Sequence, residues 1–65
     1  MIETVTPQEA TEILRGCGMR ISLETIRLGI QQGVYPFGIC IRTEKSPVYQ
    51  IFKKQLDQWI VERST

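Results

Sequence analysis

The stretch Ile21-Ser22-Leu23-Glu24-Thr25-Ile26-Arg27-Leu28-Gly29-Ile30-Gln31-Gln32-Gly33-Val34-Tyr35-Pro36-Phe37 holds a short helix together with both of its ends. Ser22 is a residue type that caps a helix N-terminus through its hydroxyl. Leu23, Ile26 and Ile30 follow at i, i+3 and i+7, which gives the helix one apolar face. Glu24, Thr25, Arg27, Leu28, Gln31 and Gln32 fall on the opposite side. Gly33 stands where a left-handed residue closes a helix, and Tyr35-Pro36 stops any continuation.

Upstream of this stretch lies a second helix. Thr6-Pro7-Gln8-Glu9 combines a capping hydroxyl, a proline at the first helical position and a glutamate where a capping box needs one. Val5 is placed to staple onto Ala10 or its neighbours, and Ala10, Ile13 and Leu14 make a short buried stripe. Gly16 and Gly18 end this helix at about Arg15. Two short helices joined by a turn of a few residues read as a helix-turn-helix.

Downstream the period changes. Phe37-Gly38-Ile39-Cys40-Ile41-Arg42-Thr43 alternates at period two, with Phe37, Ile39 and Ile41 expected on one face. Glu44-Lys45-Ser46-Pro47 is a polar turn, and Val48-Tyr49-Gln50-Ile51 is a second strand. This hairpin follows the second helix directly, in the position of a wing. It is expected to pack on the helices through Phe37, Ile39, Ile41, Tyr49 and Ile51, since a two-stranded hairpin is marginal alone. Phe52 to Arg63 returns to helical spacing with Phe52, Leu56, Trp59 and Ile60 on its apolar face, and Ser64-Thr65 is expected to fray. The expected fold is α+β and mostly helical: one winged helix-turn-helix domain over residues 1–65, in the order helix, helix, β-hairpin, helix.

Charge is unevenly spread along the chain. Met1 to Met19 carries Glu3, Glu9 and Glu12 against Arg15, and Gln55 to Thr65 carries Asp57 and Glu62 against Arg63. Between them, Arg20, Arg27, Arg42, Lys45, Lys53 and Lys54 face only Glu24 and Glu44, a net charge of +4 in a chain whose total is +1. A basic segment of this kind is one way to build a surface for a polyanion. Lys53 and Lys54 also lie in the first turn of the last helix, against the helix dipole, which suits either phosphate contact or simple solvation.

Several classes of function are disfavoured. With no histidine in the chain, no Ser-His or Cys-His pair can form, and Gly16-Cys17-Gly18 lacks the pattern of a phosphate-binding loop. Glu9 and Glu12 sit one turn apart on an exposed face, where solvation explains them. A structural zinc site would need four Cys or His ligands, and only Cys17 and Cys40 are present, read as free thiols. No enzyme, metal or cofactor is expected. Apolar runs are too short to span a bilayer, and Met1-Ile2-Glu3-Thr4 does not read as a signal peptide, so a cytoplasmic location is expected.

The candidate function is DNA binding. Thr25, Arg27, Leu28, Gln31 and Gln32 occupy the outward face of a helix that a major groove can admit. Arginine suits guanine, glutamine suits adenine and an apolar side chain suits the thymine methyl. Arg20, Ser22, Arg42, Thr43, Lys45, Ser46, Lys53 and Lys54 are the candidate phosphate or wing contacts. The same residues also suit a solvated helix face and a polar turn; their co-occurrence on elements that a winged fold would gather favours DNA.

The sequence also resembles a family. Thr6-Pro7-Gln8-Glu9-Ala10, Ile21-Ser22-Leu23-Glu24-Thr25-Ile26-Arg27 and Gln32-Gly33-Val34-Tyr35-Pro36 are similar to the excisionase/MerR-type helix-turn-helix pattern, and Leu56-Asp57-Gln58-Trp59-Ile60 matches its closing helix. The Gly33-Val34-Tyr35-Pro36-Phe37-Gly38 run is similar to small proteins of phages and integrated elements. The resemblance covers Val5 to Ile60 and implies an accessory protein that binds and bends double-stranded DNA and steers an integrase; the small size of the domain, which limits it to a short site, calls for several copies side by side or a partner integrase. The Gly16-Cys17-Gly18-Met19 turn is richer in glycine than that pattern, and the chain has no room for a MerR effector domain. Two alternatives stand beside the excisionase reading: a phage transcriptional regulator or packaging module of the same fold, and a protein-interaction module in which Leu28, Tyr35, Phe37 and Trp59 form an exposed apolar patch.

Overall fold

Thr6 begins the first helix with a reciprocal capping box. Its hydroxyl accepts the Glu9 backbone N–H at 3.1 Å, and the Glu9 carboxylate accepts the Thr6 N–H at 2.9 Å. Helix α1 then runs Pro7–Gly16. Helix α2, Leu23–Gln31, is capped by Ser22, whose hydroxyl accepts the Thr25 N–H at 3.2 Å. Both helices close in the same way: Gly18 and Gly33 are left-handed, with φ of 94° and 72°. Met19 N–H returns to the Leu14 carbonyl at 3.0 Å, and Val34 N–H returns to that of Gly29 at 2.9 Å. These 6→1 bonds satisfy carbonyls that would otherwise be orphaned at the helix ends.

A computed structural model describes residues 1–64. It is a small α+β domain with three helices and a three-stranded antiparallel sheet. Strand β1 is Thr4–Val5, β2 is Gly38–Ile41, β3 is Val48–Phe52, and helix α3 is Lys53–Arg63. The strand order is β1-β3-β2, so β3 is central. Val5 faces Ile51 across the β1–β3 pair, and Cys40 faces Tyr49 across the β2–β3 pair. None of the helices is long and apolar enough to cross a membrane, among the described residues.

One core draws on every layer: Ala10 and Leu14 of α1, Ile21 of the turn, Ile26 and Ile30 of α2, Phe37, Ile51 of β3 and Leu56 of α3 are all buried. Thr11 is buried with them, and its hydroxyl donates to the Pro7 carbonyl at 2.8 Å, so no polar group is stranded. Tyr35, Phe37 and Trp59 close one side as an aromatic cluster. Tyr35 stacks on Phe37 with centroids 5.2 Å apart, and Trp59 meets both rings edge-on. Arg63 covers the outer face of Trp59 at 4.2 Å. Phe37 is fully buried and its two ring neighbours are half-buried, so these aromatics belong to the core and not to an exposed patch with Leu28.

Four features of the fold differ from what the residue pattern predicts. Ile39 and Ile41 face outward with Val48, each close to half exposed, while Gly38 and Cys40 point inward. The inward side is crowded at Gly38: a Cβ there would lie 3.0 Å from the Gln50 carbonyl oxygen and from Ile51 Cγ1 of β3, and 3.3 Å from Ile30 Cδ1 of α2, so glycine suits that position. Phe37 sits in the turn before β2 and escapes the alternation. Phe52 ends β3 instead of lying on the apolar face of α3, where Leu56, Trp59 and Ile60 pack. Strand β1, two residues long, carries no pattern of its own and was not anticipated. The start of α3 is the fourth, taken up with the site. At the C-terminus Ser64 is held by its hydroxyl on the Ile60 carbonyl at 2.7 Å, and the expected fraying of Thr65 lies outside the described residues.

The outward parity of Ile39 and Ile41 makes a measurable difference. Replacing both with threonine keeps the β-branched shape and removes no core contact, so unfolding free energy should change by about 0.5 kcal/mol or less per site. Urea denaturation of the double variant checks this; a core-facing pair would cost several times more.

Candidate nucleic-acid interface

Helix α2 has its apolar side fixed by Ile26 and Ile30, so its other side is necessarily presented to solvent. Glu24, Thr25, Arg27, Leu28, Gln31 and Gln32 are all exposed there. Strands β2 and β3 lie beside this helix, and their connecting tip, Arg42 to Pro47, reaches the end of α2 that carries Gln31. Gln31, Arg42, Thr43, Lys45, Ser46 and Pro47 line a shallow cleft of about 300 Å³. A neighbouring cleft is lined by Arg27, Ser46, Pro47 and Tyr49. The helix face and the hairpin tip therefore form one surface with Arg27, Arg42 and Lys45 along it, and neither cleft has an acidic residue in its lining.

Three of the expected contact residues are already engaged in holding the backbone. Ser22 and Thr25 hydroxyls are 2.9 Å apart at the α2 cap. The Thr43 hydroxyl donates to the Ser46 carbonyl and accepts the Ser46 N–H, which closes the tip into a fixed loop. These hydroxyls help to shape the surface, on which Arg27, Leu28, Gln31, Gln32, Arg42, Lys45 and Ser46 are the other exposed candidate contacts. Arg20 is exposed in the α1–α2 turn, two residues before the α2 cap. That turn is tied down by Arg15, whose Nε donates to the Ile21 carbonyl at 2.8 Å.

No known protein family, characterised protein or solved structure matches this chain.

The structure does not bring Lys53 and Lys54 to that surface. β3 runs away from the tip, and at about 3.3 Å per residue its length places the start of α3 roughly 16 Å from Val48. Lys53 N–H donates to the Glu3 carbonyl at 3.0 Å, and Lys54 lies beside Met1, Ile2 and Glu3. The Lys53 ammonium is paired with Asp57 at 2.7 Å. That hydrogen bond raises its pKa above the ordinary lysine value, opposed by desolvation and assisted by the Asp57 and Glu3 charges. The expectation that all six central bases converge is thus corrected: α2 and the tip converge, and the α3 start stands at the far end of the hairpin.

Tyr49 is the residue that sequence reasoning assigned only to packing. It points to the inner face of β3 opposite Cys40, yet its hydroxyl emerges under α2 and accepts a hydrogen bond from Gln31 Nε2. The Arg27 guanidinium carbon lies 6.0 Å from its ring centroid. An amphipathic aromatic two residues after the tip proline was the available signal, since a tyrosine at a half-buried position needs a partner for its hydroxyl.

Among the described residues no group of three or more His, Cys, Asp or Glu side chains stands close enough to hold a metal ion. Cys17 is exposed and Cys40 half-buried, both as free thiols.

Proposed function

We propose that this protein is a winged-helix DNA-binding accessory factor of the excisionase type, with α2 as its recognition helix and the β2–β3 hairpin as its wing. The observation that carries the reading is that Arg27 on the helix and Arg42 and Lys45 on the tip line two adjoining clefts, neither of which has an acidic residue in its lining. A helix of this size enters a major groove about 12 Å wide, where Arg27 can donate two hydrogen bonds to guanine and Gln31 or Gln32 can pair with adenine. Leu28, between them, suits a thymine methyl. The tip then lies on the adjacent backbone or minor groove, with Arg42 and Lys45 on phosphates and Arg20 holding a phosphate ahead of the helix. The protein performs no chemistry in this reading. Its partners are double-stranded DNA, further copies of itself and an integrase, and its place is the cytoplasm.

A salt-titrated binding assay tests this directly. Three phosphate contacts, from Arg20, Arg42 and Lys45, give a slope of log affinity against log salt of about −3. A slope near −5 would mean that Lys53 and Lys54 also touch DNA. Arg27→Ala is expected to weaken binding to the preferred site by about 1–3 kcal/mol while changing binding to random duplex much less. Affinity that ignores both salt and Arg27 would overturn the proposal. Integrase activity on a supercoiled attachment site, with and without the protein, then separates an excisionase from a regulator or packaging module of the same fold.

A further inference from the structure

Arg27 and Gln31 are four residues apart on α2, and both are engaged by one side chain from a different element. Tyr49 accepts the Gln31 amide on its hydroxyl and offers its ring face to the Arg27 guanidinium. Among the described residues no other side-chain hydrogen bond joins α2 to the hairpin. The position of Tyr49 is itself fixed by the sheet, where it pairs with Cys40 and packs against the core. We propose that Tyr49 is a positioning residue that sets Arg27 and Gln31 as a paired reader of a guanine and an adenine about one to two base pairs apart. This rests on the DNA-binding reading above.

The chemistry of each contact leaves the reading groups free. A glutamine amide has two N–H donors and a carbonyl acceptor. With one N–H donated to Tyr49, the other N–H and the oxygen remain, and these are the two groups that adenine N7 and N6 require. The guanidinium meets the tyrosine through the ring face, which leaves its fork of N–H donors for guanine O6 and N7. Residues at i and i+4 stand about 5–6 Å apart on a helix, and base pairs stack about 3.4 Å apart, which fixes the spacing. Holding both long side chains before binding also removes part of the ordering cost that a free surface arginine and glutamine would incur on the DNA.

The experiment is selection from randomised duplexes by the full chain, followed by competition binding, with wild type, Tyr49→Phe and Tyr49→Leu. Thermal melting of each variant shows that it is folded. Wild type is expected to enrich a guanine and an adenine at the stated spacing. Tyr49→Phe keeps the ring and loses the acceptor, so the guanine preference should stay within about twofold while the adenine preference falls by about fivefold or more. Tyr49→Leu should weaken both. A residue that merely supported the fold would lower affinity for all sequences alike and leave the preferences unmoved. A specific site whose base preferences ignore Tyr49, or one without the guanine and adenine, overturns the positioning role. A wild type that binds every duplex equally overturns base reading itself. In the absence of DNA, the Gln31 side-chain amide resonances should shift on Tyr49→Phe; no shift would mean that the contact does not exist in the free protein.

Discussion

Phe37→Ala is expected to leave most of the protein unfolded at 25 °C. Phe37 is fully buried and is among the largest of the fully buried side chains. Its ring stacks on Tyr35 and meets the edge of Trp59, so it joins the loop after α2 to the closing helix. Removing a buried phenylalanine side chain costs about 3–5 kcal/mol through lost transfer energy and the cavity left behind. A single core in a chain shorter than about 70–80 residues rarely supplies more than about 3–5 kcal/mol in total. The loss is therefore comparable with everything the fold has. Phe37→Leu, which refills most of the space, should stay folded with a lowered urea midpoint. Near-UV circular dichroism reads the aromatic cluster directly, and a Phe37→Ala protein that kept its signal and midpoint would contradict the packing described above.

Gly29→Ala carries a change of sign. In an exposed helix this substitution adds about 1 kcal/mol of stability, because alanine is the better helix former. In this fold a Cβ at Gly29 would overlap Cδ2 and Cε2 of the Tyr35 ring, which is held in place by Phe37 and Trp59. Overpacking of this kind costs about 1–3 kcal/mol, and Tyr35 would also lose its stack. The variant should be less stable than wild type by about 1–2 kcal/mol after the helix gain is counted. In a Tyr35→Ala background the obstruction is gone, and the same Gly29→Ala change should become stabilising. The four proteins form a double-mutant cycle, and denaturant midpoints measure the coupling. Additivity across the cycle would mean that Tyr35 does not lie over Gly29.

The contrast between those two sites shows what could be read from residues alone. The two helix starts at Thr6 and Ser22, the left-handed stop at Gly33, and the division of α2 into a buried Ile26–Ile30 side and an exposed Arg27–Gln31 side follow from local rules. Each depends on residues within one turn of each other. The parity of β2 does not, because Phe37, Ile39 and Ile41 alternate as well as Gly38 and Cys40 do. What bears on the choice is the crowding at Gly38 by Gln50 and Ile51 of β3 and by Ile30 of α2, which no local pattern records. Strand β1 exists only because Ile51 and Phe52 are there to pair with it. The same holds for the site. The exposed face of α2 was legible, whereas the separation of Lys53 from the tip and the grip of Tyr49 on Gln31 depend on the course of β3 through the fold.

That course also orders the assembly of the chain as it is synthesised. β3 is the central strand of the sheet but the last of the three to be made. Val5 must wait for Ile51, and Cys40 must wait for Tyr49, before either flanking strand has any partner at all. The helices α1 and α2 have their own caps and a tight turn between them, but at ten and nine residues they are marginal alone and share their core with Phe37, Ile51 and Leu56 downstream. A nascent chain ending before Val48 thus has two capped helical segments with an unpaired strand segment on either side, and emergence of five more residues lets the sheet form on both edges of β3 together.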